Sequence, residues 1–335
     1  MATLDTLRTM PAVVSRPRRV LRAIGRGLYA LLAAIIVLGM CGATYEALAA
    51  TGDTERYPPP GRLIDVGGFQ MHIHCVGTGS PTVLLEGGNA SPALSWMLVQ
   101  PEAAHTSRVC TYDRAGLGWS EPSSAPRTPQ QIASELHTLL QNAGIDGPYV
   151  LVGASLGGKY VREYARQYPA DVVGVVFVDA RHESFDRESP AYSTQSDRIL
   201  PLMNRLFWLW GRVGLARLVG SPLGGYDAVS DADNRQLTII SLRPAALAAS
   251  EAEYFARGAH DAAMAGETLG DRPVIVLAAG QGGMMLDGWA EAQEHMARLS
   301  TRGRLVVLPE SGHAIQADAP GAIVAAIAEV VASIR

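Results

Sequence analysis

Eight short apolar runs, each bounded by glycine, proline or aspartate, recur from residue 62 onward and constrain the fold more than any other feature of the chain. They lie at 62–66, 71–76, 82–85, 109–112, 149–152, 173–178, 274–278 and 304–308. Several are apolar at consecutive positions, the pattern of strands covered on both faces in a parallel sheet. Helix-period segments separate them. One opens at Thr128-Pro129, an N-cap followed by a proline at the first helical position, and Gly144 ends it. A second follows Ser155 as far as Gln167, and a third follows Pro320. Strands alternating with helices predict a doubly wound α/β domain over 62–335.

The alternation breaks once, between Asp179 and Pro273, where the periodicity is helical and no strand is evident. This predicts a helical insertion, about 182–271, over one end of the sheet after the sixth strand. Within it the Phe207, Trp208 and Trp210 cluster reads either as the core of that insertion or as a membrane-docking patch.

The first 26 residues carry six arginines against Asp5 alone, a local charge of +5 in a chain whose net charge is −4. Residues 27–45 carry no charge. An apolar stretch of this length can cross the roughly 30 Å hydrocarbon core as a helix. Arginines on its N-terminal side predict that this end stays in the cytoplasm, leaving the domain membrane-anchored on the outer side. Ala47-Leu48-Ala49 offers the competing reading, a cleaved signal peptide and a secreted domain. Residues 46–61, polar and then proline-stiffened, read as a linker. The small net charge gives no reason to expect a nucleic-acid partner.

Gly153-Ala154-Ser155-Leu156-Gly157 has the form G-x-S-x-G, with a strand pattern before it and a helix pattern after it. That is the strand–turn–helix setting in which the motif exposes a nucleophilic serine. The helix N-terminus adds unpaired N–H groups beside the hydroxyl. A serine needs a base to take its proton. His313, in Ser311-Gly312-His313 after the last strand, is the candidate among eight histidines, because only it ends a predicted strand with glycine before it. A Gly-Ser turn and a packed loop histidine are the bland alternatives.

These residues resemble the α/β-hydrolase family, in its serine-nucleophile, esterase- and lipase-like members, over 62–335. Leu84-Leu85-Glu86-Gly87-Gly88-Asn89 is similar to the family's oxyanion loop, and Tyr112-Asp113-Arg114-Ala115-Gly116-Leu117-Gly118-Trp119-Ser120 to its glycine-rich turn. The resemblance implies an eight-stranded, mostly parallel sheet with a helical lid. It implies an oxyanion hole from the backbone N–H of Leu156 and of Gly88 or Asn89, and cleavage of an apolar small-molecule ester through an acyl-enzyme. No cofactor or metal is implied. Two positions depart from the pattern. Glu86 stands where many members carry histidine, and the usual position for the acid holds Gly280-Gln281-Gly282-Gly283. Asp179, at the end of the sixth strand, is the first candidate acid and Asp287 the alternative, with a Ser–His dyad as a third arrangement. The departures also leave open a non-catalytic protein of this fold that binds a ligand or partner.

Three cysteines are too few for a disulfide framework. In the family's strand order Cys75 and Cys110 fall on neighbouring strands, where they are either a disulfide or two buried thiols. His72-x-His74 with Cys75 lacks a visible third or fourth ligand, so no metal is expected there.

Overall fold

The computed structural model describes residues 16–221, 226–259, 261–281 and 287–334. Helix α1 (Arg16–Ala50) and the short α2 (Asp53–Arg56) precede the sheet. Strands β1 (Arg62–Asp65), β2 (Gln70–Val76), β3 (Thr82–Glu86) and β4 (Val109–Tyr112) follow, with α3 (Gln100–Ala103) between the last two. Then come α4 (Pro129–Ala143), β5 (Tyr149–Ala154), α5 (Gly157–Gln167) and β6 (Val172–Val178). Among the described residues six helices form the lid: α6 (Glu183–Glu188), α7 (Pro190–Arg212), α8 (Leu215–Val219), α9 (Asp231–Ser241), α10 (Pro244–Ala256) and α11 (Asp261–Met264). The chain closes with β7 (Gly270–Ala279), α12 (Trp289–Ala297), β8 (Ser300–Leu308), α13 (Ile315–Asp318) and α14 (Pro320–Ala332).

All eight expected strands form one sheet in the order β1-β2-β4-β3-β5-β6-β7-β8. Only β2 runs against its neighbours, and the pairs from β4 to β8 are parallel. Consecutive residues serve opposite faces, which explains the unbroken apolar runs. Leu84, Leu151 and Val175 join one core with Leu136, Leu139 and Tyr164 of α4 and α5. Val83, Val150 and Val176 join the other with Ile323, Ile327 and Val330 of α14. Thr128 caps α4 by accepting from the Gln131 N–H at 3.3 Å, and Gly144 ends it with φ 65°.

The N-terminal region departs from its expected boundaries. One continuous helix takes in residues 16–26 of the basic segment, the uncharged stretch 27–45 and the first five linker residues. Asp53–Arg56 of that linker are helical too. The reason is tertiary. Arg217 of α8 donates to Glu46 at 2.6 Å and to Asp53 at 2.7 Å, tying the end of α1 to the lid. A Cβ at Gly42 would lie 2.3 Å from the Val213 carbonyl oxygen, so glycine permits this close approach. Residues 20–50 are long and apolar enough to cross a membrane.

Candidate active site

Ser155 sits between the end of β5 and the start of α5 with φ 50°, a left-handed conformation that costs a non-glycine residue about 1–3 kcal/mol. Its surroundings hold it there. The Ser155 N–H donates to the Val178 carbonyl at 3.1 Å, and its own carbonyl accepts from Arg181 N–H at 2.8 Å. The glycines around it are steric requirements, since a Cβ at Gly157 would meet the Gly87 carbonyl oxygen at 2.6 Å.

The Ser155 hydroxyl lies 3.0 Å from Nε2 of His313, and Nδ1 of the same ring lies 2.5 Å from Asp179 Oδ2. His313 enters from the loop after β8, Asp179 from the C-terminal end of β6. Asp179 is fully buried with φ 41°. Its second oxygen accepts from the Ala279 N–H at 3.1 Å and from the Trp289 indole at 3.0 Å. The carboxylate is therefore fixed on both sides. Asp287 is exposed, and its main-chain carbonyl accepts from the Ser189 hydroxyl. Among the described residues its carboxylate makes no bond to His313. Residues 282–286, which include Gly282 and Gly283, lie outside the described residues.

Gly88 flanks the serine closely: a Cβ there would stand 3.0 Å from Ser155 Cβ and 3.6 Å from Oγ. Asn89 and Ala90 continue that loop and border a cavity of about 450 Å³ roofed by the lid residues Leu200, Asn204 and Phe207. Leu156 is the N-cap residue of α5, at the positive end of its dipole.

Glu86 finds its explanation in Arg114, which the sequence presents only as part of the glycine-rich turn. The buried guanidinium donates to the Gly87 carbonyl at 2.9 Å and to the Gly88 carbonyl at 2.8 Å. It also pairs with Glu86 and with Glu253 of lid helix α10, the latter at 2.8 and 2.9 Å. The Tyr112 hydroxyl donates to the other Glu86 oxygen. Burial pushes the Glu86 carboxyl up to about 7, against the opposing pull of Arg114. One guanidinium thus clamps the loop beside Ser155 and links it to the lid.

Lys159 makes a second clamp. Its buried ammonium donates to Asp186 of α6 at 2.9 Å, to Asp261 of α11 at 2.8 Å and to the Arg257 carbonyl at 3.2 Å. Burial works to raise the Asp186 carboxyl, but Arg181 and Lys159 hold it well below the usual carboxylate range. Neither residue stands out in the sequence: Arg114 follows Asp113 in the glycine-rich turn, Lys159 opens a helix that also carries Arg162, Glu163 and Arg166, and their partners lie far away in the chain.

Two of the three residues of the metal reading are otherwise engaged. His72 Nδ1 is 2.7 Å from Asp113 Oδ2, and Cys75 is joined to Cys110 by a disulfide. The two cysteines are direct register partners on β2 and β4.

A family model described as the alpha/beta hydrolase fold matches residues 81–320. The chain belongs to the α/β-hydrolase fold family. The chain is 28% identical over 287 residues to an AB hydrolase superfamily protein of Gibberella zeae, covering 76% of the chain and 87% of that protein. It is 27% identical over 280 residues to an uncharacterised protein of Schizosaccharomyces pombe, covering 72% of the chain. The match spans only 50% of that longer relative. Among solved structures, the epoxide hydrolase CorEH superposes with a TM-score of 0.63 at 19% identity, over 82% of this chain and 99% of that one. A thermophilic esterase from Thermogutta terrifontis superposes with a TM-score of 0.58 at 22% identity, over 82% and 98%. At these identities the likeness is one of fold.

Proposed function

We propose that this hydrolase cleaves a carboxylic ester through an acyl-enzyme on Ser155. The observation that carries the reading is the hydrogen-bonded line from the Ser155 hydroxyl through His313 to Asp179, at 3.0 and 2.5 Å. In it, His313 Nε2 takes the serine proton as Oγ attacks the ester carbonyl. Asp179 holds the Nδ1 proton and so fixes which ring nitrogen is basic. The oxyanion accepts from the N–H of Leu156 and of Gly88 or Asn89. His313 then returns the proton to the departing alcohol, and water repeats the sequence to release the acid.

Epoxide hydrolases of this fold use an aspartate nucleophile. A serine at the elbow favours acyl transfer instead. The two oddities behind a non-catalytic reading also find ordinary explanations: Glu86 is the counter-ion of Arg114, and an acid reaches His313.

In this reading α1 is retained as a membrane anchor and the catalytic domain lies outside the cytoplasm. The Cys75–Cys110 disulfide suits an oxidising compartment. Cleavage after Ala49 would strip Glu46 from Arg217, which argues for retention.

A fluorophosphonate probe tests the central claim. Labelling of the intact protein that disappears in Ser155→Ala is the expected result. An intact protein that takes no label refutes a serine hydrolase.

A further inference from the structure

Lid helix α7 carries a surface that ester chemistry does not account for. Ile199, Leu202, Leu206 and Leu209 form one stripe along it, each between 44% and 58% exposed. Arg198, Arg205 and Arg212 repeat every seven residues along the edge of that stripe, and all three are exposed. Trp208 lies beyond them, its ring 5.6 Å from the Arg212 guanidinium. Apolar side chains flanked by a row of arginines, with an aromatic beside them, are the pattern of a helix lying in a lipid interface.

The flank of α7 next to the stripe faces α1. Between Leu38 and Gly39 of α1 and Met203, Leu206, Phe207 and Trp210 of α7 lies a cleft of about 780 Å³, with no charged side chain among the described residues that line it. On the opposite flank is the smaller cavity at the loop beside Ser155. Phe207 borders both. The uncharged stretch 27–45 is about 28 Å long as a helix, close to the thickness of a hydrocarbon core. Leu38 then sits about 10 Å inside the Tyr45 end, at the depth of lipid acyl chains.

We propose that the cleft between α1 and α7 holds the acyl chain of a bilayer lipid ester, with Phe207 as the partition the chain crosses to bring its ester to Ser155. The substrate is then a long-chain ester reached laterally from the membrane. This rests on the serine-ester reading and on α1 as an anchor.

The test uses the full chain in phosphatidylcholine vesicles. p-Nitrophenyl butyrate reports the serine chemistry, and p-nitrophenyl palmitate in the bilayer reports the chain route. Leu38→Trp, which fills the cleft away from the serine, should lower palmitate turnover at least about tenfold by displacing buried methylenes, and leave butyrate turnover within about twofold. Equal effects on both esters, or none on either, overturn the route. A palmitoyl-chain fluorophosphonate with a terminal diazirine provides a measurement on the unmutated protein. Photo-crosslinks should fall on peptides containing Leu38 and Met203. Label on Ser155 with crosslinks confined to α9 and α10 overturns the cleft alone. No label on Ser155 overturns the hydrolase reading and the cleft with it.

Discussion

The Asp179 carboxylate stands 2.5 Å from His313 Nδ1, although 134 residues separate the two in the chain. The whole lid intervenes between them in sequence, yet both sit at the same end of the sheet. With Asp179 also receiving the Trp289 indole and the Ala279 N–H, the imidazole meets a carboxylate that cannot turn away.

Ser155→Ala and His313→Ala should each lower kcat for a short-chain ester by several powers of ten, and the double variant should be little worse, because the two act as a unit. Asp179→Asn should cost far more than Asp287→Asn. Steady-state kinetics on the two aspartate variants decides the acid. The reverse ranking would move it to the loop after β7.

Arg114→Lys keeps the charge but not the fork that grips both the Gly87 and Gly88 carbonyls. We expect kcat to fall about 10- to 100-fold with little change in KM, as the loop beside Ser155 loses its alignment. Arg114→Met should instead destabilise the fold by about 3–5 kcal/mol, since it leaves the buried Glu253 with only the more distant Arg127, at 4.0 Å, as a cation and takes the guanidinium donor from Glu86. Kinetics on the first and urea unfolding on the second separate the two effects.

Glu86 gives a pH signature. Folded, its carboxyl keeps a proton up to about 7, whereas its ordinary value is 4.5. Between those values the folded state binds more protons, so this group's contribution is fully present below 4.5 and is lost as pH rises through 7. Glu86→Gln should flatten that part of the stability profile. Urea midpoints at pH 5, 6, 7, 8 and 9 read it, and parallel profiles for the two proteins would reject the assignment.

Lys159→Met should loosen the lid rather than abolish the chemistry. It leaves Asp186 and Asp261 without the buried ammonium they share, although Arg181 still pairs with Asp186. Amide exchange should rise in α6 and α11 while the β5–β6 core stays protected. Uniform loss of protection would show that Lys159 serves the whole domain instead.

The disulfide closes a separation of 35 residues, which predicts about 3–4 kcal/mol of stabilisation in the chain-entropy account. Replacing both Cys75 and Cys110 by serine should lower the unfolding free energy by that order. Thiol titration of the unfolded, unreduced protein should find Cys41 alone reactive.

What the sequence determined by itself was local in origin. Strand runs show in their apolar continuity, α4 in its Thr128 cap and Gly144 stop, and the nucleophile's turn in five contiguous residues from Gly153 to Gly157. Each depends on backbone preferences and burial within a few positions. The sequence could rank Asp179 above Asp287 but not decide between them, because the choice turns on which carboxylate the β6–β7 end of the sheet delivers to a histidine after β8. The Cys75–Cys110 bond depended on register, since a slip of one residue would send the two side chains to opposite faces. Arg114 with Glu253, Lys159 with Asp261 and Arg217 with Glu46 were equally hidden. A charge in the sequence announces that it needs a partner when buried, but only the tertiary structure, by excluding water around it, decides which distant residue that partner is.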